Sequence, residues 1–351
     1  LIQLLKKQLL KVFLFLFPLL AFAVNLVIKR NKILSNGDQL NHQKLTNIHV
    51  PSVGGYFLII PIIIFFYKDN LFFSIILIFI FLLGIFSDLN ILSSPKKRFF
   101  IQLLLILVFI FMKKIEVLPT RIIYLDKILS DTYWSYFFTV FCLMILINGS
   151  NFIDGLNGLL LGYLLIILFI IYKLNLFNSL NISSNQIRFL IYIFFIILIF
   201  NICNQFFLGD SGAYFLSFFI GFVLIEVYND NLKISPYFII LLLWYPCFEN
   251  FFSILRKLIK KKSVLKPDNE HLHQLIFILI KKKFNSHKLF ANILSGLLIN
   301  LFNFILLYLG STNPYNTTFQ LSLFLGAIFF YVLIYLIIKT YLRNSIVSFK
   351  V

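Results

Sequence analysis

Residues 135–172 read SYFFTVFCLMILINGSNFIDGLNGLLLGYLLIILFIIY, in which two apolar runs flank the polar segment NGSNFIDGLNG at 148–158. Each apolar run is long enough to form most of a membrane-spanning helix. The polar segment combines glycine turns with amide side chains and one carboxylate, Asp154. Because a carboxylate in lipid is costly, we expect this segment to lie where one span ends and the next begins.

The composition of the whole chain also indicates a membrane protein. The chain has 351 residues, 60% of them hydrophobic, and a mean hydropathy of +0.95. A soluble core of that size does not need so much apolar surface. The three cysteines fall inside apolar runs, which favours neither a disulfide framework nor a cysteine metal cluster. The predicted fold class is all-α: a polytopic transmembrane helix bundle that forms a single domain over residues 1–351.

The apolar runs predict about 10–11 spans. The first run follows Lys6, Lys7 and Lys11, and we expect it to be retained as a span because it continues past a signal-like AFA at 21–23. No long linker, soluble domain or sequence repeat separates the runs. The candidate spans are 12–28, 54–67, 71–86, 99–112, 133–148, 158–172, 189–203, 212–228, 236–252, 289–310 and 319–338.

The basic residues predict the orientation of these spans. If the loop after the first span is cytoplasmic, the cytoplasmic segments hold 20 Lys and Arg: four in 29–53, three in 87–98, ten in 256–288 and three after 338. The other segments hold 11. Because Lys and Arg are enriched in cytoplasmic loops, this excess predicts that the loops with polar motifs are cytoplasmic.

Acidic residues mark the same loops. Four of the thirteen acids stand at predicted cytoplasmic ends of different spans: Asp88, Asp154, Asp210 and Asp268. Any one of them could be a solvated cap, but four such loops on one face predict a polar bowl at the membrane surface. Carboxylates surrounded by Lys, Arg and His suit a divalent cation with a phosphorylated substrate, because Mg²⁺ prefers one or two carboxylates together with phosphate oxygens and waters. Basic side chains would bind the remaining phosphate charge.

Five polar segments occur in order at these span ends: HVPSVGGYFLIIP (49–61), GIFSDLNILSSPKKRFFIQ (84–102), NGSNFIDGLNGL (148–159), FFLGDSGAYFL (206–216) and RKLIKKKSVLKPDNEHLHQL (256–275). Together they resemble the loops of the polyprenyl-phosphate N-acetylhexosamine-1-phosphate transferase family. That family includes enzymes that start O-antigen, enterobacterial common antigen and teichoic-acid linkage synthesis, and the phospho-MurNAc-pentapeptide translocase. A single short motif would be weak evidence, but five in order are specific.

The resemblance implies a reaction and its partners. A UDP-N-acetylhexosamine, or a related UDP-sugar, gives its sugar-1-phosphate to undecaprenyl or another polyprenyl phosphate, and UMP leaves. The resemblance also implies Mg²⁺, with Mn²⁺ as an alternative, and a multi-pass protein of the bacterial inner (plasma) membrane with a cytoplasmic active site. The product would serve cell-wall, lipopolysaccharide or O-antigen biogenesis. No nucleic-acid partner is expected, and a homodimer stays an open alternative.

Matching positions carry the family's site roles to residues of this chain. Asp210 would be the main metal ligand, Asp88 would stand near the attacking lipid phosphate, and Phe207 would stack on the uracil. His271, His273 and Arg256 would contact the diphosphate or the sugar. The implied catalytic residues are Asp88, Asp154, Asp210, His271 and His273; the implied substrate-binding residues are Asn148, Asn151, Phe207, Arg256, Lys97 and Asp268; and the implied metal ligands are Asp210, Asn151 and Asp154.

Three positions depart from the family pattern. Ser87 replaces the first of two adjacent aspartates, Asn157 replaces the second Asp of D-G-x-D-G, and Gln274 replaces the last His of H-x-H-H. A catalytically degenerate member that binds the lipid carrier or partner proteins is therefore one alternative. Activity is favoured, because a phosphate monoester with a second pKa near ~6 is already mostly a dianion at neutral pH and needs positioning more than deprotonation.

Two other membrane classes are weaker alternatives. A secondary transporter would place its polar breaks near the bilayer midplane in repeated halves, whereas here the motifs lie at one face and no repeat is visible. A CDP-alcohol phosphatidyltransferase would need a dense run of aspartates beginning D-G-x-x-A-R, and the sequence has no such run.

Overall fold

The structure, a computed structural model, describes residues 2–30, 50–67, 70–117, 119–177, 182–263, 270–284 and 287–347, with helix side chains described from residue 16 to 343. These residues form 13 α-helices. In chain order they are α1 (Ile2–Arg30), α2 (Gly54–Phe66), α3 (Leu71–Asp88), α4 (Pro95–Lys113), α5 (Ile123–Leu129), α6 (Thr132–Ile153), α7 (Leu159–Lys173), α8 (Ser184–Ile202), α9 (Gly209–Asp230), α10 (Pro236–Ile259), α11 (Leu272–Lys283), α12 (Lys288–Gly310) and α13 (Thr317–Val347).

The predicted all-α class is confirmed. Every helix except the short α5 and α11 coincides with one of the predicted spans. Within the described residues the chain forms no β-strand, although an isolated parallel bridge joins Ser52 to Phe207.

The number of membrane crossings is partly supported. In the described part of the chain, six helices are long and apolar enough to cross a membrane, namely α3, α6, α8, α9, α12 and α13. The bent helix α10 is a seventh if its two halves form one span. Helices α2 and α7 have 13 and 15 residues, fewer than the ~20 that cross a bilayer unaided. A polytopic bundle is therefore confirmed, while the larger predicted number of spans stays a prediction.

Helix α9 forms the centre of the bundle, with 94% of its apolar stretch buried against α2, α3 and α6. Two glycines allow this close packing. A Cβ on Gly84 of α3 would lie 2.2 Å from the Cα of Ser211, and one on Gly55 of α2 would lie 2.7 Å from the Cα of Gly212. Any larger residue would overlap the backbone of α9. The glycines therefore fix the first turn of α9 against the end of α3.

Helix α10 is bent by 76° between Pro236–Leu242 and Trp244–Ile259. Pro246 has no N–H and cannot bond to the carbonyl of Leu242, which would be left without its usual helical donor. The Tyr163 hydroxyl of α7 donates to that carbonyl at 2.8 Å. On the other side, a Cβ on Gly149 of α6 would lie 2.1 Å from the Pro246 oxygen. The bend is thus held between α6 and α7, close to the end of α6 that precedes Asp154.

The helix ends gather at two faces of the bundle. At one face the loop before α2 meets the loop before α9, because the Phe207 N–H donates to the Pro51 oxygen at 2.9 Å. The ends of α3, α6, α8 and α10 and the starts of α4, α7, α9, α11 and α12 lie at this face, and we call it the motif end.

The other face, which we call the opposite end, holds α5 and the loops that precede α10 and α13. Its loops are joined by a Ser235 N–H that donates to the Pro314 oxygen at 2.9 Å.

Candidate active site

Asp210, in the first turn of α9, is the centre of the motif end. Its Oδ2 lies 2.7 Å from Arg98 Nη1 and accepts a hydrogen bond of 3.2 Å from the Tyr214 hydroxyl. The Ser87 hydroxyl also donates to Oδ2 and accepts from Arg98. Asp210 and Arg98 keep 26% and 23% of their side chains exposed, so a ligand can reach this ion pair from solvent.

Asp88, the last residue of α3, caps the start of α9. Its two oxygens accept the backbone N–H groups of Asp210, at 2.8 Å, and Ser211, at 3.0 Å. These N–H groups would have no partner within α9, because the first turn of a helix has no preceding carbonyls. Gly209 permits this approach: it has a φ of +78°, and a Cβ there would lie 2.8 Å from Asp88 Oδ2. Asp88 therefore fixes the position of Asp210.

Asp154 follows the last residue of α6 and is partly buried. Burial raises its pKa well above the ordinary 3.8, and the nearby carboxylates of Asp210 and Asp88 raise it further. The three aspartates are thus brought together closely enough to repel one another. A site of this kind favours a bound cation when all three carboxylates are ionised.

The segment NGSNFIDGLNG forms the end of α6 and a tight turn into α7. The Asn148 amide donates to the Met144 carbonyl of its own helix at 2.8 Å, and Asn151 lies partly buried in the last turn of α6. Gly158 has a φ of +78°, a left-handed conformation that favours glycine. The turn therefore places Asp154 beside the start of α9.

Asparagines of other helices hold this turn. The Asn157 N–H donates to Asn292 Oδ1 of α12 at 2.7 Å, and its side-chain amide donates to Asn204 Oδ1 at 3.2 Å. The Gly158 N–H donates to Asn201 Oδ1 of α8 at 2.6 Å. Asn157, which stands where the related family has an aspartate, is buried in this hydrogen-bond network. Its role in the structure is to hold the turn.

The histidines of HLHQL lie at the start of α11. His271 is the N-cap residue, and its Nδ1 lies 2.8 Å from Glu249 Oε1 of α10. The His273 ring is fully buried and stacks on His271 at a centroid distance of 5.5 Å. Gln274 accepts the His271 N–H at 3.2 Å, so the residue at the position of the last family histidine caps the helix.

Two contacts connect this histidine segment to the rest of the site. The His271 ring lies 5.4 Å from the Phe152 ring of α6, two residues before Asp154. Arg256 is buried and donates to the Glu270 carbonyl at 2.5 Å. In space, the α6 turn therefore lies between Asp210 and His271 at the motif end.

Glu270 anchors the histidine segment through ion pairs. Its carboxylate contacts Lys260 of α10 and lies 3.0 Å from Lys339 Nζ of α13. Partial burial alone would raise the pKa of Glu270, but the hydrogen bonds from Lys260 and Lys339 outweigh it and lower the pKa to about 2. Glu270 is therefore ionised at any physiological pH and keeps three helices together.

Three further predicted site residues have different settings. Phe207 is 6% exposed and its backbone pairs with Pro51 and Gly54, so stacking on a base would require its ring to become more exposed. Lys97 is exposed on the first turn of α4, next to Arg98. Asp268 lies outside the described residues.

The sequence analysis missed three residues of the motif end. Arg98 is not among the predicted site residues, although it is the ion-pair partner of Asp210. Glu249 and Tyr331 were not considered, although Glu249 is an acid inside the predicted span 236–252. Because acids in apolar spans are costly, that position was itself a signal.

The oxygen donors of the motif end suit a cation that keeps part of its water shell. Within the described residues, no three His, Cys, Asp or Glu side chains are grouped closely enough to hold a metal on their own. Mg²⁺ does not need such a group, since one or two carboxylates with waters and phosphate oxygens suffice. Among the described contacts, hydrogen bonds to the Asp210 carboxylate reach Oδ2, so Oδ1 can serve a cation. The residues present therefore fit Mg²⁺.

Comparison with known proteins identifies the part of the chain that carries Asp88, Asp154 and Asp210. The model of glycosyl transferase family 4 matches residues 70–228. Over this region the chain is similar to glycosyl transferase family 4. The resemblance found in the motifs is thereby confirmed, and the chain is an enzyme of the sugar-phosphate transferase type. The family region ends before Glu249 and the histidine segment.

Curated relatives agree with this assignment. The chain is 28% identical over 236 residues to the undecaprenyl-phosphate alpha-N-acetylglucosaminyl 1-phosphate transferase of Thermotoga maritima, a match that covers 67% of this chain and 71% of that protein. It is also 28% identical over 196 residues to the probable undecaprenyl-phosphate N-acetylglucosaminyl 1-phosphate transferase of Bacillus subtilis, covering 55% of this chain and 54% of the relative. The match to the Thermotoga protein extends well beyond the length of the family region.

Proposed function

We propose that the chain transfers a sugar-1-phosphate from a UDP-N-acetylhexosamine to undecaprenyl phosphate and releases UMP, as the first step of a cell-surface glycan. The main support is the Asp210–Arg98 pair, which is solvent-accessible and lies beside Asp88 and Asp154 within the family region. A carboxylate that can bind a cation next to a guanidinium that can bind a phosphate suits two phosphorylated substrates.

The chain's own groups support transfer by positioning and charge neutralisation. In such reactions the phosphoryl group needs an in-line nucleophile and stabilised charge more than covalent help from the protein. The lipid phosphate supplies the attacking oxygen, and at neutral pH it is mostly a dianion with a second pKa near ~6, so it needs no base at position 87. Arg98, held by Ser87 and Asp210, would bind that phosphate.

Mg²⁺ would neutralise charge on the diphosphate, and Asp210 with Asp154 and Asn151 would hold it. Asp88 keeps the Asp210 backbone in place through its two hydrogen bonds. Ser87, at the position of a family aspartate, keeps a hydroxyl between Asp210 and Arg98 without adding a fourth carboxylate. The site therefore retains the parts that a dianionic acceptor requires.

The decisive experiment gives the purified protein undecaprenyl phosphate, Mg²⁺ and a panel of UDP-sugars, and measures released UMP. We expect release with at least one UDP-N-acetylhexosamine and none when the lipid is omitted. No release with any sugar, from protein that is folded and binds the lipid, would favour a degenerate member that only binds carrier lipid or partners.

We also propose that the motif end faces the cytoplasm in the bacterial inner membrane, because the segments predicted from the sequence to be cytoplasmic hold 20 of the 31 Lys and Arg. Single cysteines at Ser94, Ser263 and Thr317 in a cysteine-free background test this orientation. An impermeant thiol reagent applied to intact cells should label Thr317→Cys and leave the other two unlabelled. Labelling of Ser263→Cys from outside would reverse the orientation.

A further inference from the structure

Glu249 is a fully buried carboxylate beside the bend of α10, outside the family region. It lies three residues after Pro246 and contacts groups from two other helices. Its Oε1 lies 2.8 Å from His271 Nδ1 and accepts the Leu272 N–H at 3.4 Å. Its Oε2 accepts the Tyr331 hydroxyl of α13 at 2.8 Å. One carboxylate thus joins α10, α11 and α13 at the start of the histidine segment.

A carboxylate in such a place must be compensated by positive charge, since a buried unpaired charge is strongly destabilising. His271 is in direct contact and can supply that charge. The other ionisable side chains that lie near Glu249 are His273 on α11 and the tyrosines Tyr245 and Tyr331, and Arg256 lies further along α10, near Tyr331. Arg256 donates to the Glu270 carbonyl and to Ser253, so its described bonds go elsewhere.

The contact also fixes which ring nitrogen carries a proton. When Glu249 is ionised it can only accept hydrogen bonds, so the nitrogen that faces it would then be Nδ1–H rather than an acceptor of the Gln274 N–H. A histidine held through Nδ1 presents its Nε2 in a fixed direction. Carboxylates behind a histidine orient its ring in the same way at other sites. Because the ring is also fixed at the N-cap of α11, both its place and its rotation are determined.

We propose that Glu249, oriented by Tyr331, is a positioning residue that holds His271 as a protonated ring directed at the phosphate groups of the nucleotide donor. The proposal rests on the function proposed above, because it assigns the donor as the ligand of His271. It extends the site to α10 and α13, which the family region does not include.

Histidine-selective ¹⁵N NMR in nanodiscs tests the contact without any turnover. The chain has five histidines, so the spectrum is simple, and His271→Gln assigns the signal. We expect a protonated Nδ1 in the wild type and a changed His271 signal in Glu249→Gln, with the His287 signal unchanged. An unprotonated Nδ1, accepting from the Gln274 N–H, would put the proton on Glu249 and overturn the proposal, as would an unchanged His271 signal.

Kinetics test the role. Glu249→Gln keeps the shape of the side chain and removes its charge, and should raise KM for the UDP-sugar about tenfold, the scale of one charge-assisted hydrogen bond. KM for undecaprenyl phosphate should change by less than about twofold, because a substitution has little effect on binding at a site to which it is not coupled. In a His271→Gln background the same substitution should have little further effect. Equal effects in both backgrounds would show a general structural role and contradict the proposal.

Two buried tyrosines form a matched pair that remains informative if Glu249→Gln does not fold. Tyr331 donates to Glu249, whereas the Tyr245 hydroxyl, also near Glu249, has no hydrogen-bond partner among the described residues. Tyr331→Phe should raise KM for the UDP-sugar about threefold, and Tyr245→Phe should not. Equal effects of the two would overturn the proposal. A wild type with no turnover would contradict the proposed function, while the NMR result would still decide the contact.

Discussion

The two ends of the bundle are both held by long-range hydrogen bonds, but they differ in charge. At the opposite end, Arg121 donates to the carbonyls of Leu232 and Ile234, at 2.9 and 3.0 Å, and to the Thr317 hydroxyl at 2.7 Å. A single cation there bonds neutral carbonyl and hydroxyl oxygens rather than a carboxylate.

At the motif end, by contrast, Arg98 bonds the carboxylate of Asp210, and Asp88 and Asp154 lie near that aspartate. Asp88 uses both oxygens to cap α9, and Asp154 carries a pKa raised by burial and by its acidic neighbours. This arrangement opposes folding through repulsion between like charges. Hydrogen bonds between distant loops hold both ends, whereas the aspartates of the family region meet at the motif end, where we propose that the substrates and a cation bind.

The largest effect is expected for Asp210→Asn. It removes the charge that would hold Mg²⁺ and that pairs with Arg98, so turnover should fall by at least about 10³-fold. Tyr214→Phe is the matched control, because it removes a neutral donor to the same oxygen and should cost less than about tenfold. UMP release by both proteins, after a check that each elutes as a folded species, measures the difference. Similar activities would place the cation elsewhere.

The next effect compares capping carboxylates at the two ends. Asp88→Asn leaves one acceptor oxygen for two N–H groups and should lower kcat by about 10²-fold while costing about 1 kcal/mol of stability. Asp131, at the opposite end, caps α6 by accepting the N–H groups of Tyr133 and Trp134. Because Asp131 accepts both N–H groups with Oδ1, which asparagine would keep, the control is Asp131→Ala, which should lose about 1 kcal/mol of stability and keep its turnover. Thermal unfolding and UMP release separate the two outcomes, and equal losses of turnover would contradict a special role for the motif end.

A smaller effect is expected for Ser87→Ala. If the acceptor attacks as a dianion, the hydroxyl only supports Arg98 and Asp210, and its loss should lower kcat less than about tenfold. Ser87→Asp adds a fourth carboxylate, which would help a monoanionic acceptor at low pH but repel the lipid phosphate at neutral pH. The profile of kcat between about pH 5 and 9 at saturating lipid tests both. A severe loss in Ser87→Ala at every pH would refute the dianion mechanism.

The smallest effect concerns stability at Asp154. Its folded pKa lies above the unfolded value near 3.8, so the folded state holds the proton more tightly, and stability falls as pH rises through this window. Asp154→Asn removes that loss and should unfold at a higher temperature than the wild type, with a larger difference at pH 8 than at pH 5. Turnover should decrease in the same variant. A wild type that is as stable as the variant at pH 8 would argue against repulsion among the aspartates.

The sequence predicted the fold well because its signals are local. Apolar runs bounded by glycine and amide turns identified the helices, and the five motifs identified the motif end. The bend of α10 was not predicted, because Pro246 shows where a helix can bend but the stabilising donor, Tyr163, is remote in sequence. The roles of the site residues were hard to predict for the same reason, because they depend on partners that are remote in sequence.

Sequence reasoning selected Asp88, Asp210 and His271 but assigned them by analogy. It did not show that Asp88 caps α9, since the partner N–H groups lie 122 and 123 residues further along the chain. It also read Asn157 as a lost ligand, whereas the structure uses this residue to hold a turn. Roles that depend on a partner across the bundle need three-dimensional contacts. The Mg²⁺ cofactor, the sugar specificity and the single-domain organisation stay predictions.

The shortness of α2 and α7 has a consequence for the surrounding lipid. At a rise of 1.5 Å per residue, their 13 and 15 residues span about 20 and 23 Å, against a hydrocarbon core of about 30 Å. Both helices start at the motif end, beside Phe207 and Asp154. As membrane spans, helices of this length would be matched by local thinning of the bilayer where they meet lipid, or by flanking residues that extend them into the interface. The phosphate of a membrane lipid would then reach the motif end at the depth of the headgroups, and the hydrocarbon chain of that lipid would stay inside the bilayer.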